Sequence, residues 1–149
     1  MRHSKWDALL VVLSLAHAAV VLLAPSVAVI AIGLWWNSNT ISHNFLHLPF
    51  FKSGTLNRLY SIYLSLLTGI PQSLWRADHL AHHAAGAGTP SRSSRVLGSV
   101  LGSVLCSWQG RVEIGTVLGL WLLLMAIGPR FFVVVYLPGY AIGLALCYL

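Results

Sequence analysis

Five histidines fall into two tight clusters, His43-Asn-Phe-Leu-His47 and His79-Leu-Ala-His82-His83, separated by 31 residues. On a helix His43 and His47 are i and i+4, while His79, His82 and His83 are i, i+3 and i+4. Each cluster therefore projects its imidazoles from one helical face. Two such faces brought together make a nitrogen-rich pocket suited to iron, copper or zinc. Either cluster alone is a weak signal, because imidazoles at a membrane edge also serve to hydrogen-bond lipid phosphates. The pair, in a chain with few polar residues, reads as a ligand set, since ionisable groups in or beside a membrane are functional candidates by default. Asn39 lies one turn before His43 and Asp78 adjoins His79. Each is a candidate to orient an imidazole through its other nitrogen, with interfacial polarity or a helix cap as the plainer reading.

These clusters must be positioned by a membrane protein. The 149 residues are 57% hydrophobic and only 8% charged, with mean hydropathy +0.78, against about 25% charged in soluble domains. Nine Lys/Arg against Asp7, Asp78 and Glu113 give a formal charge of +6. That balance points first to nucleic acid, but the charges are sparse and divided by apolar runs. They read instead as topology signals and lipid-headgroup contacts, with no nucleic-acid partner. Cys106 and Cys147 have no metal or redox spacing and read as small apolar residues.

Ala8 to Trp36 is 29 residues without a charge. As one helix it would run about 43 Å, beyond a hydrocarbon core of about 30 Å. Pro25-Ser26 divides it into a hairpin: helix 1 from Ala8 to Leu23, and helix 2 from Val27 into the first histidine cluster. Arg2 and Lys5 before an apolar run resemble a signal peptide, but no small-residue cleavage site ends the run, so a retained anchor is expected.

Leu59 to Ile70, stopped by Gly69-Ile70-Pro71, is too short to cross. Were it to cross, the two clusters would lie on opposite faces and share no metal. It is expected to be interfacial or re-entrant, with Tyr60 and Tyr63 near the headgroups. Residues 84–95 read as a flexible loop. Val96 to Trp108 reads as a second interfacial helix whose Gly98, Gly102, Ser99 and Ser103 allow close approach of another helix.

Val112–Gly128 and Phe131–Leu149 form a second hairpin turned by Gly128-Pro129-Arg130. Glu113 stands near the start of helix 3, where an acid suits the positive end. The expected fold is all-α and integral to the membrane as one multi-pass domain, with four transmembrane helices in two hairpins and interfacial helices between them. Eight Lys/Arg then fall on the side of the termini and Arg130 alone on the other. This places both histidine clusters on the cytoplasmic side.

Ser42-His43, Leu48-Pro49-Phe50-Phe51 and Trp75-Arg76-Ala77-Asp78-His79-Leu80-Ala81-His82-His83 together resemble the membrane fatty acid desaturases. That family shares histidine boxes of the HxxxH and HxxHH kind with the carotenoid and alkane hydroxylases, and the resemblance covers nearly the whole chain. It implies a di-iron centre with His43, His47, His79, His82 and His83 among its ligands. Also implied are an acyl-lipid substrate, a ferredoxin or cytochrome electron donor, and O2-dependent insertion of a double bond. The family's third box does not occur here, and Ala-Leu-Cys-Tyr-Leu149 ends inside an apolar helix. The ligand set is therefore expected to be incomplete in this chain, to be completed by further sequence or by a second subunit in an oligomer.

The boxes do not separate desaturation from hydroxylation or ketolation. Two other classes stand beside the enzyme: a bis-histidine haem electron carrier, and a non-catalytic remnant that binds lipid or a partner chain. Among the remaining residues, His17 reads as a polar pair between helices and His3 as a solvated terminus. Trp6, Trp75 and Trp108 read as an aromatic belt, and Trp35 and Trp36 as packing residues.

Overall fold

The computed structural model describes residues 1–85 and 101–147, except for the side chains of Asp78 and residues 81–85. Every regular element among the described residues is helical. Helix α1, Trp6–Leu23, is apolar except at Asp7, Ser14 and His17, and ends where Pro25 cannot continue it. Ser26 caps the next helix by accepting a hydrogen bond from Val29 N at 3.2 Å. Helix α2, Val27–Trp36, then passes without a break through a π-turn, Asn37–Ser42, into helix α3, His43–His47.

The π-turn has a local cause. Asn37, Asn39 and Asn44 each donate a side-chain amide to the carbonyl four residues back, on Gly33, Trp35 and Thr40, at 2.7, 2.9 and 2.6 Å. With side chains competing for those carbonyls, the ladder slips by one residue and His43 N–H donates to Ser38 O. The extra residue turns α3 relative to α2 and sets the direction in which His43 and His47 leave the rod.

Helix α4, Gly54–Thr68, is capped by Ser53 and ends at Gly69, whose φ of 68° is left-handed. After Pro71 the chain enters helix α5, Gln72–Ala85. Residues 101–106 are helical, and Ser107 caps helix α6, Trp108–Ile127, through Gly110 N at 2.9 Å. Helix α7, Pro129–Cys147, starts on proline and carries a second π-turn, Phe132–Tyr136, directly before Pro138. A proline there removes one ladder donor and crowds the preceding turn, which the wider π-turn accommodates.

Three of these helices, α1, α6 and α7, are long and apolar enough to cross a membrane, with mean hydropathies of 2.1, 1.6 and 1.7. The second predicted span is not among them. Its rod is apolar only as far as Trp36 and then turns polar at Asn37, Ser38, Asn39, Thr40 and Ser42.

Packing relates the rods by direction. His17 of α1 lies against Gly33 of α2, where any Cβ would overlap its imidazole ring. Trp121 of α6 meets Tyr136 and Tyr140 of α7. Between α2 and α7 the contacts advance together: Gly139 against Ile30, Gly143 against Ala31 and Leu34, and Cys147 beside Asn39. These two helices therefore run parallel, in contact at Gly139-Tyr-Ala-Ile-Gly143, a small-xxx-small seam. Gly102, the close-approach glycine expected from sequence, faces open space, and Gly98 and Ser99 lie outside the described residues.

The buried core joins Ile41 and Phe45 of the α2–α3 rod to Phe50 and to Tyr60 and Leu64 of α4. Tyr60 is thus 6% exposed instead of facing headgroups; its ring is edge-on to Phe45 and its hydroxyl is 3.0 Å from Ser14 Oγ. Tyr63 stacks on it, half-buried. Trp6 and Trp108 are exposed as a belt requires, whereas Trp75 is half-buried.

At Gly143 a Cβ would stand 2.9 Å from Ala31 O, while at Gly119 it would meet nothing. Gly143→Val is expected to cost about 1–3 kcal/mol by overpacking, and Gly119→Val less than about 0.5 kcal/mol. Reversible unfolding in detergent micelles measures both. Equal stabilities would contradict the α2–α7 seam.

Candidate metal centre

Helix α3 is barely more than one turn, so His43 and His47 share a face, with ring centroids 4.9 Å apart. Helix α5 brings His79 to that face, 4.7 Å from the His43 ring and 5.1 Å from the His47 ring. His47 Nε2 and His79 Nε2 are 3.1 Å apart. One nitrogen from each of the three residues lies within 4.8 Å of the others; His43 and His79 are half-buried and His47 is exposed.

An ion with metal–nitrogen bonds of about 2.1 Å holds its donors roughly 3 to 4 Å apart. The three imidazoles fit one such ion with small side-chain adjustment. Imidazole nitrogen suits iron, zinc, copper and nickel alike.

The two predicted clusters therefore converge through His43, His47 and His79. The backbone of His82 and His83 belongs to α5, but their side chains, and that of Asp78, lie outside the described residues. Asn39 donates to Trp35 O at 2.9 Å and lies 3.9 Å from Cys147 Sγ. His17 stands apart from the cluster as an interhelical pair: its Nδ1 is 2.8 Å from Asn37 Nδ2, and its Nε2 is 3.4 Å from Val29 O. Cys106 and Cys147 are free thiols.

One residue has a different place from the one its sequence position suggested. Helix α6 begins at Trp108, so Glu113 is past the first turn and does not serve its positive end. It is fully buried. Its Oε1 accepts from Ser61 Oγ at 2.6 Å and Gln109 Nε2 at 2.8 Å; its Oε2 accepts from Ser73 N at 2.7 Å and from Ser73 Oγ. Charge-assisted bonds from four donors are what a buried carboxylate requires. Of these only the i, i+4 pair with Gln109 was legible in sequence; Ser61 and Ser73 lie 52 and 40 residues away. Glu113 also lines an open cleft of about 210 Å³, together with Phe45, Leu46, Arg58 and Arg76.

Comparison with protein-family models, curated proteins and solved structures found no match. The donor geometry makes its own prediction. Protein purified in detergent and loaded with ferrous iron is expected to retain metal in elemental analysis. His43→Ala, His47→Ala and His79→Ala should each lose most of it, and His17→Ala should keep it. Equal retention by all four variants would contradict the site.

Proposed function

We propose that this chain is a membrane fatty acid desaturase-type oxidoreductase, acting with O2 to introduce a double bond into a lipid acyl chain. The observation that carries this reading is the meeting of His43 and His47 with His79 across 31 intervening residues. Non-haem iron bound there would supply the redox chemistry that lets dioxygen attack an unactivated C–H bond, with electrons from a ferredoxin or cytochrome partner. A second iron calls for ligands beyond these three, from His82 and His83, further sequence or a second subunit.

The protein's own residues have separable tasks. The three imidazoles act as neutral donors, and the exposed edge of His47 leaves an approach from the aqueous side. Phe45 and Leu46 on the same short helix form an apolar wall of the adjoining cleft, suited to an acyl chain and to excluding water. Arg58 and Arg76, which also line the cleft, suit the anionic end of such a lipid. A bis-histidine haem is disfavoured, since imidazole nitrogens 3.1 Å apart leave no space for a macrocycle between them.

Four crossings are part of the proposal. If α1 leaves the cytoplasmic side, the α2–α3 rod returns to it, α6 leaves again and α7 returns. The parallel packing of α2 on α7 supports this order. The rod's 10, 6 and 5 residues span about 30 Å, and Asn37, Ser38 and Ser42 of its polar half are buried against protein, where such residues are tolerated. The eight-to-one Lys/Arg asymmetry then puts the histidines on the cytoplasmic side.

The test is product analysis. Protein in lipid vesicles, given iron, oxygen, a reducing partner and a saturated acyl lipid, is expected to yield an unsaturated acyl chain by mass spectrometry, and His79→Ala none. A hydroxylated product would assign the other branch of the superfamily. The absence of any oxygen-dependent product would contradict the reading.

A further inference from the structure

Helix α5 begins after Pro71 and receives its first acceptors from other helices. Gln72 N donates to Ser65 Oγ at 2.9 Å, and Ser73 N donates to Glu113 Oε2 at 2.7 Å. A helix N-terminus presents unpaired N–H groups that favour an anionic acceptor. Glu113 meets that need from α6 while its other oxygen holds Ser61 of α4 and Gln109 of α6. We propose that Glu113 is a positioning residue: it fixes the N-terminal end of α5 and so sets the register in which His79 reaches His43 and His47. The consequence for a metal rests on the desaturase-type reading; the register itself does not.

Ser73 and His79 are six residues apart, about 9 Å along the axis. A tilt of about 10° at Ser73 displaces His79 by roughly 1.5 Å, well outside the roughly 0.5 Å within which a ligand set must be held. Glutamine is a poor substitute for Glu113. An amide offers one acceptor oxygen where the carboxylate offers two: if that oxygen keeps Ser73 N–H, the NH2 faces Ser61 and Gln109, whose hydroxyl must turn and whose amide must flip to accept.

The register is measurable without metal. In a Cys106→Ala/Cys147→Ala background, the pair His47→Cys and His79→Cys is expected to be joined efficiently by a short bismaleimide. Glu113→Gln should lower that yield severalfold. Trp121→Phe removes the hydrogen bond from α6 to Tyr136 of α7 and should not lower it, even if it lowers the unfolding temperature as much. Should Glu113→Gln fail to fold, Ser73→Ala deletes the Oγ contact alone and is expected to lower the yield in the same direction.

In the native-histidine chain, Glu113→Gln should weaken ferrous-iron binding roughly tenfold. Cross-linking that is equal in Glu113→Gln, Ser73→Ala and the parent overturns the proposal. Cross-linking that depends on Glu113 in a protein that binds no metal upholds the latch and removes the metal reading instead.

Discussion

Histidines that are far apart in sequence can share an ion only if the chain between them begins and ends at one membrane face. That constraint governs the middle of the molecule. Helix α4 has 15 residues and a left-handed glycine at its end, so the chain turns back at Gly69 and α5 returns toward α3. The aromatic core of Phe45, Phe50 and Tyr60 fastens the start of α4 to the rod that bears His43 and His47. Glu113 fastens its far side, together with α5, to α6. The convergence of the imidazoles follows from where these two ties fall.

Polar side chains are scarce in this chain, and the described ones are used at defined points. Three asparagines shift the ladder of one rod into a π-turn beside the histidines. Ser14 and Tyr60 join α1 to α4, and His17 and Asn37 join α1 to the α2 end of the rod. In a low-dielectric surround, a donor or acceptor left without a partner is costly, so each pair also selects one register over its neighbours. Where close approach is needed instead, glycine supplies it: Gly33 for the His17 ring and Gly139 and Gly143 for the α2 backbone.

Much of this was legible in the sequence because it follows from length, hydropathy and helical spacing. The all-helical membrane character, the breaks at Pro25, Gly69-Ile70-Pro71 and Gly128, and the histidine faces all depend on residues within a few positions of one another. The rest depends on partners far apart in the chain. Nothing near Glu113 announces Ser61 or Ser73, and nothing near Tyr60 announces Ser14. The seam at Gly139 and Gly143 carries a readable small-xxx-small spacing, yet the similar spacing at Gly98 and Gly102 drew the expectation first. The second predicted span does not stand with the other three by length and hydropathy, because the latter half of its rod is polar. Asn37 and Ser42 are buried there against protein.

The central claim is that His43, His47 and His79 bind one ion together. X-ray absorption at the iron edge of the iron-loaded, detergent-purified chain tests it most directly. The account predicts a first shell of nitrogen and oxygen at about 2.1 Å, with the outer-shell scattering of about three imidazole rings, falling by one ring in His79→Ala. A shell of oxygen alone, or one unchanged in His79→Ala, would contradict it.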